Sequence, residues 1–137
     1  MQPMSEIHIW IGFTTKTHQE FDQYFDQKNA FLFDAQGNEK DPSQIVLSQF
    51  SKDLGKLYSF DEDFLNIYYN PGSDDLQLAL EELSDIDLPE LLKDICYSKG
   101  IKKANAMFSY TDADLQVNDV DKKYNDLTYL GVFEWDY

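Results

Sequence analysis

Few residues of this 137-residue chain could act in catalysis, and their spacing matches none of the usual catalytic arrangements. The chain has two histidines, His8 and His18, and one cysteine, Cys96. Nucleophilic catalysis requires a base next to a hydroxyl or thiol, and a third group that orients the base. His8 falls inside a predicted strand, His18 falls in the first turn of a predicted helix, and no Gly-x-Ser-x-Gly motif is present. We therefore predict no catalytic residues and a packing role for Cys96.

Metal and phosphate sites find equally little support in the sequence. A zinc site requires clustered cysteines and histidines, and the six glycines are scattered rather than gathered in a phosphate-binding loop. The segment Asp112-x-Asp114-x-Gln116 begins like a calcium-binding loop. It then has Val117 where the turn needs glycine and Lys123 where a bidentate glutamate should bind. We predict no metal site and no cofactor.

Carboxylates are the most abundant reactive groups, and three of them are consecutive at Asp61-Glu62-Asp63. Adjacent carboxylates perturb one another's pKa values, so this cluster could bind a divalent cation or supply an acid–base pair. In an extended segment only Asp61 and Asp63 would share a face, and no histidine or lysine stands beside them. An enzyme would need a metal at this pair, which is the weakest of the interpretations that we consider.

The chain is strongly acidic, with a net charge of −15, and its 11 basic residues are all lysines. Nucleic acids and anionic membranes bind cationic surfaces, so we expect neither as a direct partner. The acids are concentrated in residues 61–94, which hold 11 acids and a single base, Lys93. This segment forms either a solvated face that aids solubility or a docking surface for a basic partner. High charge also favours a monomer when the protein is free.

The docking interpretation leads to a candidate binding surface of carboxylates with an aromatic anchor. Tyr69 is predicted to be the more exposed of the two tyrosines Tyr68 and Tyr69, and so to serve as the anchor. The predicted partner-binding residues are Asp61, Glu62, Asp63, Tyr69, Asp74, Asp75, Glu81 and Glu82.

Cysteine content and hydropathy indicate a cytoplasmic protein. One cysteine cannot form an intramolecular disulfide, so nothing in the sequence indicates an oxidising compartment. The first residues show no cationic segment followed by an apolar run. The longest nearly apolar stretch, Ile7 to Phe13, is far too short to span a bilayer.

Hydrophobic periodicity and turn residues predict an α+β protein with the approximate order β-α-α-β-α-β-β. The predicted elements are a strand at 6–13, helices at 17–27 and 41–55, a strand at 64–69, a helix that begins after Asp87, and strands at 104–110 and 127–135. Residues 74–83 fit either a helix or a strand, and we favour the helix. The polar stretch 112–126 is too short for a helical crossover. We therefore predict a single domain over 1–137, with a mixed, mostly antiparallel sheet and helices packed on it.

Several segments, taken in order, resemble the immunity protein 22 family, antidotes encoded beside toxins in bacterial polymorphic toxin systems. The segments are Ile9-Trp10-Ile11-Gly12, Phe21–Phe25, Ser48–Gly55, Phe60–Phe64, Tyr97-Ser98, Ala104-Asn105-Ala106 and Tyr129–Glu134. The chain departs from the family pattern at 28–43 and 74–87, and both departures put the position of a family binding site in doubt.

The resemblance implies a one-domain antidote that binds its cognate toxin and blocks it without turnover. Joined to the charge pattern, it suggests a toxin with a basic surface, such as a nuclease whose cleft would otherwise hold phosphates. The alternative is an acidic adaptor or nucleic-acid mimic that acts on a basic housekeeping protein. An antidote gene should directly follow the gene of a large secreted protein, and an adaptor gene need not.

Overall fold

The computed structural model describes residues 4–27, 33–34, 36–55, 60, 62–82, 88–112, 115–117 and 119–136. The strands in this part of the chain are β1 (Met4–Gly12), β2 (Leu65–Tyr69), β3 (Ala106–Thr111), β4 (Lys123–Tyr124) and β5 (Leu127–Asp136). The α-helices are α1 (His18–Gln23), α2 (Gln49–Leu54), α3 (Leu76–Leu80) and α4 (Leu88–Ser98). Short 3-10 helices occur at Pro42–Gln44 and Glu62–Phe64. The predicted α+β class is confirmed.

The five strands form one antiparallel sheet in the order β2-β3-β1-β5-β4. The central position of β1 agrees with the burial of its residues on both faces. Successive side chains of a strand point to opposite faces, so Ile7, Ile9 and Ile11 share one face and His8 and Trp10 the other.

The chain divides into two compact units. The first comprises residues 1–15, 62–115 and 120–137, and it contains the sheet, α3 and α4. The second comprises residues 16–61 and 116–119, and it contains α1 and α2. The single domain over 1–137 stays a prediction.

In the first unit, α3 and α4 pack on the sheet face that carries the three isoleucines of β1. Leu80 of α3 and Leu92 of α4 contribute to this core and are fully buried. Burial of a side chain of this size contributes about 1.5–3 kcal/mol to the free energy of unfolding. Cys96 lies in the same core, where burial raises the pKa of its thiol to about 11. The predicted packing role of Cys96 is confirmed.

The opposite face of the sheet carries an aromatic cluster around Trp10. Its ring centroid lies 4.7 Å from that of Phe108, 5.1 Å from that of Tyr129 and 5.8 Å from that of Tyr124. Stacked and tilted aromatic pairs at these distances add to the free energy of burial. Trp10 itself is fully buried.

The strand β4 was missed by the sequence interpretation, which treated 112–126 as a polar loop. Asn125 and Asp126 connect β4 to β5, and both have positive φ, at 54° and 70°. A two-residue connection with this geometry matches the twist of the flanking strands, and Asn and Asp tolerate it better than most residues. The loop therefore ends in a short hairpin.

The second unit is built on aromatic packing around Phe50 of α2. Phe50 of α2 lies 5.3 Å from Phe25 and 5.2 Å from Phe60, as measured between ring centroids. A capping box begins α1, because Glu20 N donates to Thr17 Oγ1 at 3.2 Å and Thr17 N donates to Glu20 Oε1 at 3.0 Å.

The predicted helix over 41–55 is wrong at its start. Pro42–Gln44 forms a separate 3-10 helix, and α2 begins only at Gln49. Ser48 has an extended backbone and accepts a hydrogen bond from Ser51 N, so it is the N-cap of a new helix. Gly55, with φ of 78°, ends α2 as predicted.

Candidate functional site

The predicted partner-binding residues of the first unit lie at both ends of the edge strand β2. Glu62 and Asp63 are in the 3-10 helix that leads into β2, and both are exposed. Asp74 and Asp75 follow the turn at its other end, and both are exposed. A five-residue strand is roughly 17 Å long, so the two acidic pairs are well separated. Asp61 lies outside the described residues.

Residues 74–83 contain the helix α3, which resolves the ambiguity in favour of the helix. Asp75 is its N-cap, and its Oδ1 accepts a hydrogen bond from Gln77 N at 3.0 Å. Glu81 is its C-cap, and its Oε1 accepts from Gln77 Nε2 at 3.3 Å. Because α3 is only about 8 Å long, Asp74, Asp75, Glu81 and Glu82 form one exposed group, which we name the α3 carboxylates.

The α3 carboxylates form no ion pair with a lysine that the structure describes. One lysine is nevertheless close in the fold, because Asp75 and Lys103 oppose each other in an isolated antiparallel bridge. Lys103 lies outside the segment 61–94, which contains a single base. The surface around α3 is therefore less acidic than that segment alone suggested.

The two tyrosines of β2 have the same intermediate burial, so Tyr69 stays a predicted anchor. Tyr68 packs against the isoleucine core under α3 and α4, which places Ile67 on the opposite face. Ile67 is 43% exposed, and Tyr68 and Tyr69 are both partly buried. Strand alternation alone does not specify which face of β2 receives the helices, so the sequence could not place Ile67.

The histidine in β1 has a buried hydrogen-bond pair that sequence reasoning missed. His8 is 2% exposed, its Nδ1 lies 2.8 Å from Tyr129 Oη, and its Nε2 lies 3.3 Å from the carbonyl oxygen of Asp112. A carbonyl only accepts, so Nε2 carries the proton and Nδ1 accepts from the Tyr129 hydroxyl. Burial lowers the pKa of His8 and raises the pKa of Tyr129 to about 12. The pair favours a neutral imidazole in a structural role.

The other histidine lies on the exposed side of α1, where His18 Nε2 is 3.3 Å from Asp22 Oδ2. In the part of the chain that the structure describes, no group of three His, Cys, Asp or Glu residues is placed to hold a metal ion. Within the same residues, a search for a helix with the length and hydropathy to cross a bilayer found none.

The comparison with known families identifies the chain. The sequence model of a family described as Immunity protein 22 matches residues 7–136. The chain belongs to this family. The match begins in β1 and ends in β5, so it includes segments of both compact units. No curated protein and no solved structure matches the chain.

Membership of the Immunity protein 22 family confirms the resemblance found in the sequence and supports an immunity role in general. Such a role implies a non-enzymatic inhibitor and suggests a cognate toxin as the partner. In the structure of this Immunity protein 22 member, two residues of the resembling segments, Trp10 and Phe50, are fully buried. The resemblance therefore rests largely on the core, and the exposed α3 carboxylates fall in one of the departures from the family pattern.

Proposed function

We propose that this Immunity protein 22 member binds a cognate bacterial toxin in the cytoplasm and neutralises it without turnover. The observation that carries the proposal is the family match over residues 7–136. The burial of His8 and Cys96 agrees with it, because neither side chain has access to a substrate.

The acidic surface supports a partner with a basic face. A net charge of −15 accelerates the encounter with a cationic protein and disfavours acidic ones. A toxin that acts on nucleic acid needs a cationic cleft to bind phosphates. The α3 carboxylates would take the place of those phosphates, and closely apposed charge pairs in such interfaces couple by roughly 1.5–7 kcal/mol.

The local structure of α3 favours binding because one of these carboxylates is already held in place. Asp75 is fixed by its hydrogen bond to Gln77 N, so its side chain loses little conformational entropy when a partner binds. The backbone beside it is also fixed, because Ala104 N donates to the carbonyl of Asp74 at 3.0 Å.

A paired expression assay tests the proposal. The C-terminal domain encoded by the gene directly upstream is expressed in a bacterium with and without this chain, and survivors are counted. We expect the domain to kill and this chain to restore survival. Absence of killing, or killing that this chain does not relieve, would overturn the proposal in favour of an acidic adaptor.

Charge-neutralised variants test whether the α3 carboxylates contribute to binding of the toxin. The test variant replaces Asp74 and Asp75 by Asn and Glu81 and Glu82 by Gln, and it preserves the cap of α3 because Asn caps as well as Asp. The control variant removes the same total charge from four other exposed acids, Asp22, Glu39, Asp94 and Glu134. We expect reduced rescue only from the test variant. Equal rescue by both would move the binding surface away from α3.

A further inference from the structure

We propose that the outer edge of β2 is the docking strand for the toxin, and that an extended segment of the toxin pairs with it as an additional strand of the sheet. This inference rests on the proposed function and specifies where and how the partner binds.

The direction of the backbone groups in β2 supports this docking. In an antiparallel sheet the N–H and C=O groups of successive residues point alternately to the two sides of a strand. Asp112 N donates to Glu6 O at 3.0 Å, which places the backbone groups of Ser109 and Met107 on the β2 side of β3. The register pairs these two with Asn66 and Tyr68.

The backbone N–H and C=O groups of the alternate residues of β2 must therefore point away from β3. The N–H and C=O groups of Leu65 and Ile67 face the outer edge, and within the described residues no strand lies beyond β2. Asn70 N donates to Asn105 O at 2.7 Å, which agrees with this alternation. Leu65 and Ile67 thus offer backbone donors and acceptors to an incoming strand.

The β2 edge also lacks the features that usually prevent strand addition. Native edge strands are commonly protected by lysines, prolines, bulges or very short length. The sequence of β2 is Leu-Asn-Ile-Tyr-Tyr, with no charge and no proline, and Phe64 just before it is 45% exposed. The opposite edge is protected, because β4 has two residues and begins with Lys123, and β5 contains Gly131 at φ 125°.

The surroundings of β2 specify the chemistry of the strand that fits. Ile67 and Phe64 are exposed apolar groups along the edge. The carboxylates of Glu62 and Asp63 lie at one end of β2, and those of Asp74 and Asp75 lie at the other. The matching segment has apolar or aromatic residues at its centre and Lys or Arg on both sides, so that its charges meet the acidic pairs.

Hydrogen exchange of single amides tests the pairing directly. The probe is the purified C-terminal domain encoded by the upstream gene, added to the intact chain. In the free chain we expect the amides of Leu65 and Ile67 to exchange faster than those of Asn66 and Tyr68, which bond to β3. On addition of the probe, only the fast pair should slow, by at least about tenfold. Unchanged exchange at Leu65 and Ile67 in a saturated complex would overturn the inference.

A proline substitution tests the same strand functionally. Ile67→Pro removes an outward N–H, and an edge strand tolerates proline where its N–H faces away from the sheet. The matched control is Val132→Pro on β5, because Val132 is 47% exposed and its N–H also points away from β1 in the register. We expect Ile67→Pro to weaken binding of the probe by at least about tenfold, and Val132→Pro to leave it within about threefold.

The outcomes separate this inference from the proposed function. Rescue by the wild-type chain together with full rescue by Ile67→Pro would overturn strand addition and leave the antidote function in place. Failure of the wild-type chain to rescue would overturn both. A free chain that is a dimer and that Ile67→Pro converts to a monomer would assign the β2 edge to a second copy, and would also overturn the inference. Ile67→Val, which keeps the N–H, should behave as wild type.

Discussion

The side-chain amide of Asn105 hydrogen-bonds both backbone groups of Thr14, a residue 91 positions away in the chain. Thr14 N donates to Asn105 Oδ1 at 2.9 Å, and Asn105 Nδ2 donates to Thr14 O at 2.9 Å. The backbone of Asn105 makes two further hydrogen bonds. Asn105 N donates to Gly12 O at the end of β1, and Asn70 N, just after β2, donates to Asn105 O. One buried side chain thus connects the segments that follow β1 and precede β3.

Replacing Asn105 by Ala should strongly destabilise the protein. The substitution removes both side-chain hydrogen bonds to the buried backbone of Thr14, and we expect a loss of about 3 kcal/mol in the free energy of unfolding. Urea unfolding measures this loss. Asn66→Ala is the control, because Asn66 is exposed on β2, and it should cost less than about 0.5 kcal/mol. Equal losses in the two variants would contradict the bridging role of Asn105.

The hydrogen bonds between Asn105 and Thr14 could not be predicted from the sequence. Strand β1, the capping box of α1 and the core position of Cys96 could be predicted because each is specified by neighbours within a few residues. No local pattern indicates that Asn105 meets Thr14, since the contact exists only after β1 and β3 have paired.

The candidate site was predicted less completely than the fold, for a similar reason. The acids around α3 are visible in the sequence, and the structure describes them as exposed. The position of Lys103 opposite Asp75 depends on how the chain returns toward β3. The outward direction of Ile67 depends on which sheet face α3 and α4 cover. Neither the position of Lys103 nor the direction of Ile67 can be inferred from composition or from strand alternation.

The buried His8 should make the protein less stable as the pH falls below neutrality. Burial lowers the pKa of His8 below its ordinary 6.5, so in this range the unfolded chain binds more protons than the folded one. The free energy of unfolding should be nearly constant above about pH 7.5 and should decrease as the pH falls through about 6.5. Urea unfolding between these values measures the slope. His8→Gln should flatten it.

The hydroxyl of Tyr129 should contribute to stability through His8. Tyr129→Phe removes the donor to His8 Nδ1 and leaves that atom buried without a hydrogen bond, which should cost about 1–2 kcal/mol. Tyr97→Phe is the matched control, because Tyr97 is 53% exposed on α4, and it should be close to neutral. Thermal unfolding of the two variants measures the difference. A Tyr129→Phe variant as stable as wild type would contradict the hydrogen-bond assignment.

The thiol of Cys96 should react only after the protein unfolds. Its pKa of about 11 leaves very little thiolate at pH 8, and its side chain is fully buried. We expect native protein to react with an aromatic disulfide reagent at least about a hundredfold more slowly than protein in urea. Fast labelling of the native protein would show that α4 opens readily, and would contradict the core packing described for it.

Binding kinetics should distinguish the charge of the α3 carboxylates from the pairing of β2. Long-range attraction acts mainly on association, so the Asn and Gln variant of Asp74, Asp75, Glu81 and Glu82 should lower kon and weaken its dependence on salt. Strand pairing acts after encounter, so Ile67→Pro should mainly raise koff. Stopped-flow or surface-based measurements with the toxin domain, at low and physiological salt, separate the two rates. Changes in kon alone for both variants would argue that β2 contributes no short-range contacts.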